Sequence, residues 1–216
     1  MTNQLKYLPI NKYGLALHTT TPELGLAISN FQEPMVSHVW NLERELSSQM
    51  HGYLSEFIKP RTWNDLAFIA VAKGPGGFTG SRIGVVTART LGQQLDIPVF
   101  TVSTLAAVAF HEGKKQHQKN IAVEMPAQRG KLFGGIYQVT PDAGGVKELL
   151  ADTLLTPETW KEQLTSWDSS YHLVEAKSNL AATVVDILEL AYLEWQQGIL
   201  PTWEQALPFY GQNPVD

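Results

Sequence analysis

The chain of 216 residues contains no cysteine. That excludes disulfides, thiolate metal sites and a cysteine nucleophile, and it fits a reducing compartment. No apolar run approaches the roughly 20 residues that a membrane-spanning helix needs. Nothing near the N-terminus resembles a secretory leader, since Lys6 and Lys12 bracket only "YLPIN". Internal repeats and low-complexity tracts are missing too. Charge is sparse, at 17% of residues, with a net value of -5. The imbalance is local: residues 1–110 carry 8 basic and 7 acidic side chains, residues 111–216 carry 8 and 14. A chain that is neutral and then acidic repels nucleic acid, so direct nucleic-acid binding by the chain alone is not expected. The expected location is cytoplasmic, without membrane attachment.

What is present reads as globular, with 44% hydrophobic residues and enough length for one large domain or two small ones. "YGLALHTTT", "ELGLAISNF" and "PMVSHVWN" read as three strands, the first two forming a hairpin. A helix follows, with Leu42, Leu46, Met50, Tyr53 and Phe57 on one face, Asn41 as its cap and Lys59-Pro60 as its stop. "LAFIAVA", Leu66 to Ala72, has no polar alternation and predicts a central strand covered on both faces. After it come a glycine loop, a helix over about 80–95, the strand "IPVFTV" and a helix capped by Ser103. Lys114 to Asn120 is the linker candidate. "IAVEM" and "KLFGGIYQV" then look like paired strands, Thr156-Pro157 opens a helix, "YHLVEA" is a strand, and "SNLAATVVDILELAYLEWQQG" is a long helix ending at Gly198. The class is α/β, in two lobes of related construction.

The stretch "KGPGGFTGSRIGVVTARTLG" carries the sharpest signal. Its spacing fails the Walker pattern and the dinucleotide pattern. A buried strand, a glycine turn and a helix start nevertheless form the setting in which anions bind, and the amides of residues 76–79 are candidates to hold one. The alternative is a structural turn in which Gly74, Pro75, Gly76, Gly77 and Thr79 set the entry of the next helix. Within that helix Gly80, Gly84, Ala88 and Gly92 fall on one face. Glycine costs roughly 1 kcal/mol relative to alanine in a helix, so a line of them implies close approach of another backbone. Both are expected: one face of the helix on the chain's own sheet, the neighbouring face on a partner helix. The expected partner surface comprises Leu46, Met50, Tyr53, Gly80, Ile83, Gly84, Thr87 and Ala88.

The segment "AVAKGPGGFTGSRIGVVTARTLGQQLDIPVFTVSTLAAVA" is very similar to the signature of the TsaB (YeaZ) family. Lys73 to Ile83 matches its glycine motif nearly throughout, and Asp96-Ile97-Pro98 matches the entry to the next strand. The resemblance implies an actin-like ATPase (sugar kinase/heat-shock ATPase) fold with two lobes: residues 1–105, with a tail of about 205–216 packing back, and residues 106–204. It also implies a function in tRNA modification, the formation of threonylcarbamoyladenosine. In that process the family member is a non-catalytic subunit beside the larger catalytic paralogue TsaD and the ATPase TsaE. The resemblance further implies homodimers through the first two helices, here about 42–58 and 80–95. No cofactor, metal or catalytic residue is expected.

The chain departs from the family pattern in three places. The first strand ends in His18-Thr19-Thr20-Thr21 where the family has an aspartate. A neutral imidazole does not replace a carboxylate for a hard cation, so His18 is read as a hydrogen-bonded structural residue. The acidic positions of the second motif are lost in Pro126 to Phe133, which keeps Arg129-Gly130, and the arginine of the C-terminal motif is absent from Pro208 to Gln212. The histidines at 18, 38, 51, 111, 117 and 172 show no metal spacing, no Gly-x-Ser-x-Gly elbow exists, and Trp195, Trp203 and Phe209 read as core. The competing functions are a small-molecule kinase or ATPase of the same fold, and a stand-alone homodimeric binding module.

Overall fold

The computed structural model describes residues 6–115, 119–141, 144–177 and 179–211. Three antiparallel strands come first: β1 (Tyr13–His18), β2 (Glu23–Ser29) and β3 (Val36–Asn41). Helix α1 (Leu46–Phe57) leads to β4 (Leu66–Gly74), which pairs in parallel with β1. Helix α2 (Phe78–Leu95) returns the chain to β5 (Val99–Ser103), parallel to β4. The sheet order is therefore β3-β2-β1-β4-β5.

Helix α3 (Thr104–Lys115) leads into the second sheet. That sheet contains β6 (Asn120–Pro126), β7 (Leu132–Thr140) and β8 (Gly145–Leu155), then, after α4 (Pro157–Thr165), β9 (His172–Glu175). Its order is β8-β7-β6-β9. Helix α5 (Val184–Gln196) closes the regular structure, and Gly198, at φ 81°, ends it in the left-handed conformation that glycine adopts without penalty.

Alternation along β1 explains the layering. Leu15 and Leu17 face α1 and α2 in a cluster with Met50, Leu54, Val71 and Val85. Ala16 faces the other way, with Phe68 and Ala70, into a cluster shared by α3, α5 and the second-sheet residues Ile121, Val123 and Tyr137. A strand apolar on both faces is the signature of a covered sheet. The small alanines on the second face leave room for helices to lie close. Beyond α5 the chain straps back over the first sheet: Val99 N–H donates to the Pro201 carbonyl at 3.2 Å, and Phe209 N–H donates to the Lys73 carbonyl at 2.7 Å.

Several sequence expectations need correction. Asn41 is the last residue of β3 and does not cap α1; a 3-10 turn, Glu43–Glu45, intervenes, with Glu43 at φ 47°. Helix α2 starts at Phe78 rather than Gly80. Helix α3 runs through Lys115, into the segment read as linker, because Lys114 is held against α5 by Asp186 and Glu189 at 2.8 and 2.6 Å. The long C-terminal helix opens as a 3-10 turn, Leu180–Thr183, and becomes α-helical only at Val184. Strand β8 was not foreseen: "GVKELLADTLL" spaces its leucines without period-2 alternation, and only pairing with β7 makes it a strand. Ser103 and Thr156 do cap as expected, accepting from Ala106 and Thr159 N–H at 3.1 and 3.3 Å.

Candidate functional site

Two surfaces are candidates: the outer face of the α1–α2 pair and a cleft between the two sheets. Both depend on the glycine turn that joins β4 to α2.

That turn is clamped from two sides. Gly74 has φ 110°, and a side chain there would run into the Phe209 carbonyl of the C-terminal strap. Gly77 N–H donates to the Thr20 carbonyl at 2.7 Å. The fold thus takes up one of the amides that the sequence offered to an anion. Ser81, buried one turn into α2, donates from its hydroxyl to the Gly77 carbonyl at 2.9 Å.

The glycine stripe of α2 points inward. Thr19 Oγ1 donates to the Gly80 carbonyl at 2.8 Å. A methyl group on Gly80 would strike the Thr19 carbonyl, and one on Gly84 would strike the Thr19 hydroxyl. Gly84 and Ala88 are buried beneath the helix, as are Leu46 and Met50 beneath α1. Of the eight residues expected at a partner surface, these five do not offer one. Their smallness lets α2 lie close on the chain's own sheet, which is where the loss of Cβ is compensated. Tyr53 is half-buried against Trp40, with ring centroids 5.0 Å apart. Of the other two, Ile83 is half-buried and Thr87 is buried, and both lie at the floor of a groove of about 450 Å3. Its walls are Ser47, His51 and Ser55 from α1 and Arg82, Val86 and Thr90 from α2, with Val86 52% exposed. Arg82, Val86 and Thr90 lie on the opposite side of α2 from the stripe. Burial leaves a different face of these helices exposed than the one expected from the period.

His18 closes β1. It is fully buried, its Nε2 lies 3.5 Å from Thr20 Oγ1, and its Nδ1 has no hydrogen-bond partner in the protein. Desolvation pushes its pKa down to about 3, so the ring is neutral. The magnesium nucleotide of actin-like ATPases does not fit this strand end, where a neutral ring replaces an oxygen ligand. The described residues contain no group of three or more histidine or acidic side chains placed to hold a metal. His111 is bonded through Nδ1 to buried Asp186 at 2.9 Å; His38 and His51 are exposed; His117 and Gln212 lie outside the described residues.

The cleft has a volume of about 1490 Å3. The turn after β1 and the start of α2 form one wall; the β6–β7 turn, with Arg129 and Lys131, forms the other. Arg129 is left-handed at φ 57° and Gly130 follows at φ 69°, so the retained Arg-Gly pair makes the sharp turn that places the arginine on the cleft. Tyr210 of the strap packs on Phe78 at 4.6 Å, and Phe209 packs on Phe133 at 6.2 Å. Trp195 and Phe209 join the core beside α5, and Trp203 joins the one under α2, as read from the sequence.

Sequence reasoning missed one polar cluster at the seam of the two sheets. Ser103 Oγ donates to Asp152 at 2.6 Å, and the Tyr137 hydroxyl donates to the other oxygen of the same carboxylate. Burial pushes Asp152 up, while the Ser103 and Tyr137 hydrogen bonds and nearby Lys73 pull it down. Burial likewise raises Tyr137. The signal was hidden because Asp152 sits on the unrecognised β8.

Comparison with known proteins gives a consistent set. The family model described as TsaD, tRNA N6-adenosine threonylcarbamoyltransferase, matches residues 48–146. A Bacillus subtilis protein named tRNA threonylcarbamoyladenosine biosynthesis protein TsaB is 31% identical over 159 residues, covering 71% of this chain and 66%, about two thirds, of that relative. The Escherichia coli protein of the same name is 24% identical, covering 93% and 95%. Among solved structures, YeaZ from Pseudomonas aeruginosa superposes with a TM-score of 0.74 at 23% identity, covering 92% of this chain and 99% of that one.

Proposed function

The chain belongs to the TsaB family, and from that premise we propose that it acts as a non-catalytic partner subunit in forming threonylcarbamoyladenosine in tRNA. In this reading it pairs with a larger TsaD-like paralogue that carries the transfer chemistry. A TsaE-like ATPase joins the same cytoplasmic assembly. The observation that carries the proposal is the outer face of α1 and α2. Val86 stands 52% exposed beside Ile83 and Leu91 in a groove edged by Ser47, His51, Ser55, Arg82 and Thr90. An apolar groove along a helix pair suits an equivalent helix pair, giving a four-helix contact. A second copy of the chain would use the same face, so homodimer and heterodimer compete.

The test is Val86→Asp. It should leave the melting temperature unchanged and abolish co-elution with the paralogue. Undiminished pairing would move the interface off this face.

The alternative of a kinase or ATPase is disfavoured by the neutral, buried His18. Under the scaffold reading, magnesium-ATP binds more weakly than about 10 µM by calorimetry. A peptidase reading, suggested by a related structure described as similar to peptidase YEAZ, lacks a nucleophile elbow in this sequence. A stand-alone homodimeric module would survive only if the paralogue fails to bind at all.

A further inference from the structure

We infer that the seam at Asp152 is a proton-linked latch, which binds the second sheet to the start of α3 most firmly when its carboxyl group is neutral. It uses none of the residues of the helix-pair reading and stands or falls apart from it.

Strand geometry brings Asp152 to the seam. Between Gly134 and Ile136 strand β7 advances two residues, while its partner β8 advances three, from Thr153 to Leu150. The extra residue makes a β-bulge, a device that re-aims a neighbouring side chain. Asp152 lies inside the bulge and reaches the end of β5. Gly135 leaves the space for it: a methyl group there would lie 2.9 Å from the Tyr137 hydroxyl and 3.1 Å from Asp152 Oδ1. Ser103 ends β5 and caps α3, accepting from Ala106 N–H at 3.1 Å. Its bond to Asp152, at 2.6 Å, therefore crosses from one sheet to the other.

Donor counting shows that the cluster has room for a further proton. Ionised Asp152 accepts from Ser103 and from Tyr137, which uses the single proton of each hydroxyl. The two hydroxyl oxygens lie 3.4 Å apart, with no proton left for that contact. A neutral Asp152 brings a third proton. Its O–H donates to the Tyr137 oxygen, Tyr137 donates to Ser103, and Ser103 donates to the other carboxyl oxygen. The ring then closes with three hydrogen bonds in place of two.

Charge is the second, independent observation. Lys73 on β4 is the cation near Asp152, and Glu148 on β8 is a further carboxylate near it. Lys73 also lies near Glu194 of α5. Asp152 and Glu194 thus share one ammonium group, and Lys73 forms no direct ion pair among the described residues. From α3, His111 and Lys114 are turned to Asp186 instead. A partly desolvated cluster with more carboxylates than cations takes up a proton more readily than an exposed carboxylate does. Burial raises Asp152 above the ordinary aspartate range and Glu148 adds to the rise, while the Ser103 and Tyr137 hydrogen bonds and Lys73 offset part of it. A folded value above the unfolded one means that the fold binds the neutral form more tightly. The latch is therefore firm below the ordinary aspartate value and weakens as pH rises through the folded one.

The test compares urea unfolding of the full chain with that of Asp152→Asn, from mildly acidic to mildly alkaline buffer. Asparagine leaves the site uncharged at every pH, and the titration of His18 is common to both chains and cancels in the difference. The stability of Asp152→Asn relative to the parent should rise as pH rises. Lys73→Met, made in both backgrounds, removes the cation that favours the ionised form and should extend that rise to higher pH, a change that a merely structural Asp152 would not show. Amide exchange at the start of α3 and around the β8 bulge should be roughly tenfold faster in Asp152→Ala than in the parent, and close to the parent in Asp152→Asn. A stability difference that is flat with pH, or that falls as pH rises, overturns the inference, as does parent-like exchange in Asp152→Ala. Should Asp152→Ala fail to fold, the comparison of Asp152→Asn with the parent decides by itself. Pairing with the paralogue, measured in parallel, is expected to be unaffected throughout.

Discussion

Thr19 fills the space that Gly84 leaves: its hydroxyl donates to the Gly80 carbonyl at 2.8 Å and occupies the position that a side chain at Gly84 would need. The contact locks the exit of β1 to the second turn of α2. Gly84→Ala must therefore displace Thr19 or lift the helix. Overpacking of this kind costs roughly 1–3 kcal/mol. Urea unfolding of the isolated chain should show that loss, and a variant as stable as the parent would mean the helix is free to move outward.

The glycine turn should respond unequally along its length. Gly74 combines φ 110° with the Phe209 carbonyl in the path of a side chain. Gly77 has φ -62°, and a methyl group there meets only the Thr20 carbonyl, at 3.5 Å. Gly74→Ala should lower the melting temperature, by an amount corresponding to about 1–3 kcal/mol. Gly77→Ala should be close to neutral. Equal effects would show that the strap does not brace the turn.

Acid stability should report on His18. Its folded pKa of about 3 lies below the ordinary histidine value of 6.5, so the folded state keeps the ring neutral while the unfolded chain takes a proton. The stabilisation is fully present above pH 6.5 and is lost as pH falls towards 3. The linkage amounts to at most about 5 kcal/mol. His18→Leu removes this titration and should shift the acid-unfolding midpoint to lower pH. An unshifted midpoint would place the sensitivity in the carboxylates instead.

Asp186 is fully buried and holds His111 at 2.9 Å and Lys114 at 2.8 Å, joining α5 to α3. Asp186→Ala leaves the half-buried Lys114 without its buried partner, a loss of about 3 kcal/mol for a pair of this kind. Denaturant titration should register it, together with faster amide exchange at the end of α3. Intact protection there would show that Glu189 alone suffices.

Local pattern determined much of this protein by itself. Continuous apolar runs identified β4 and β5, four-residue steps identified α1 and α2, and Ser103 and Thr156 marked helix starts, because capping and periodicity act within a few residues. The glycine motif carried the family. Tertiary structure decided the rest. The stripe Gly80, Gly84, Ala88 announces that a backbone comes close, but only the position of Thr19 shows that the backbone is the chain's own. Strand β8 exists because β7 offers it a hydrogen-bonding edge, and Asp152 entered the seam with it. The cation-lined cleft brings together Arg44, Arg129 and Lys177, far apart in sequence. Helical and strand periods report which residues share a face. Which face meets solvent depends on what packs against it, and that is a property of the whole fold.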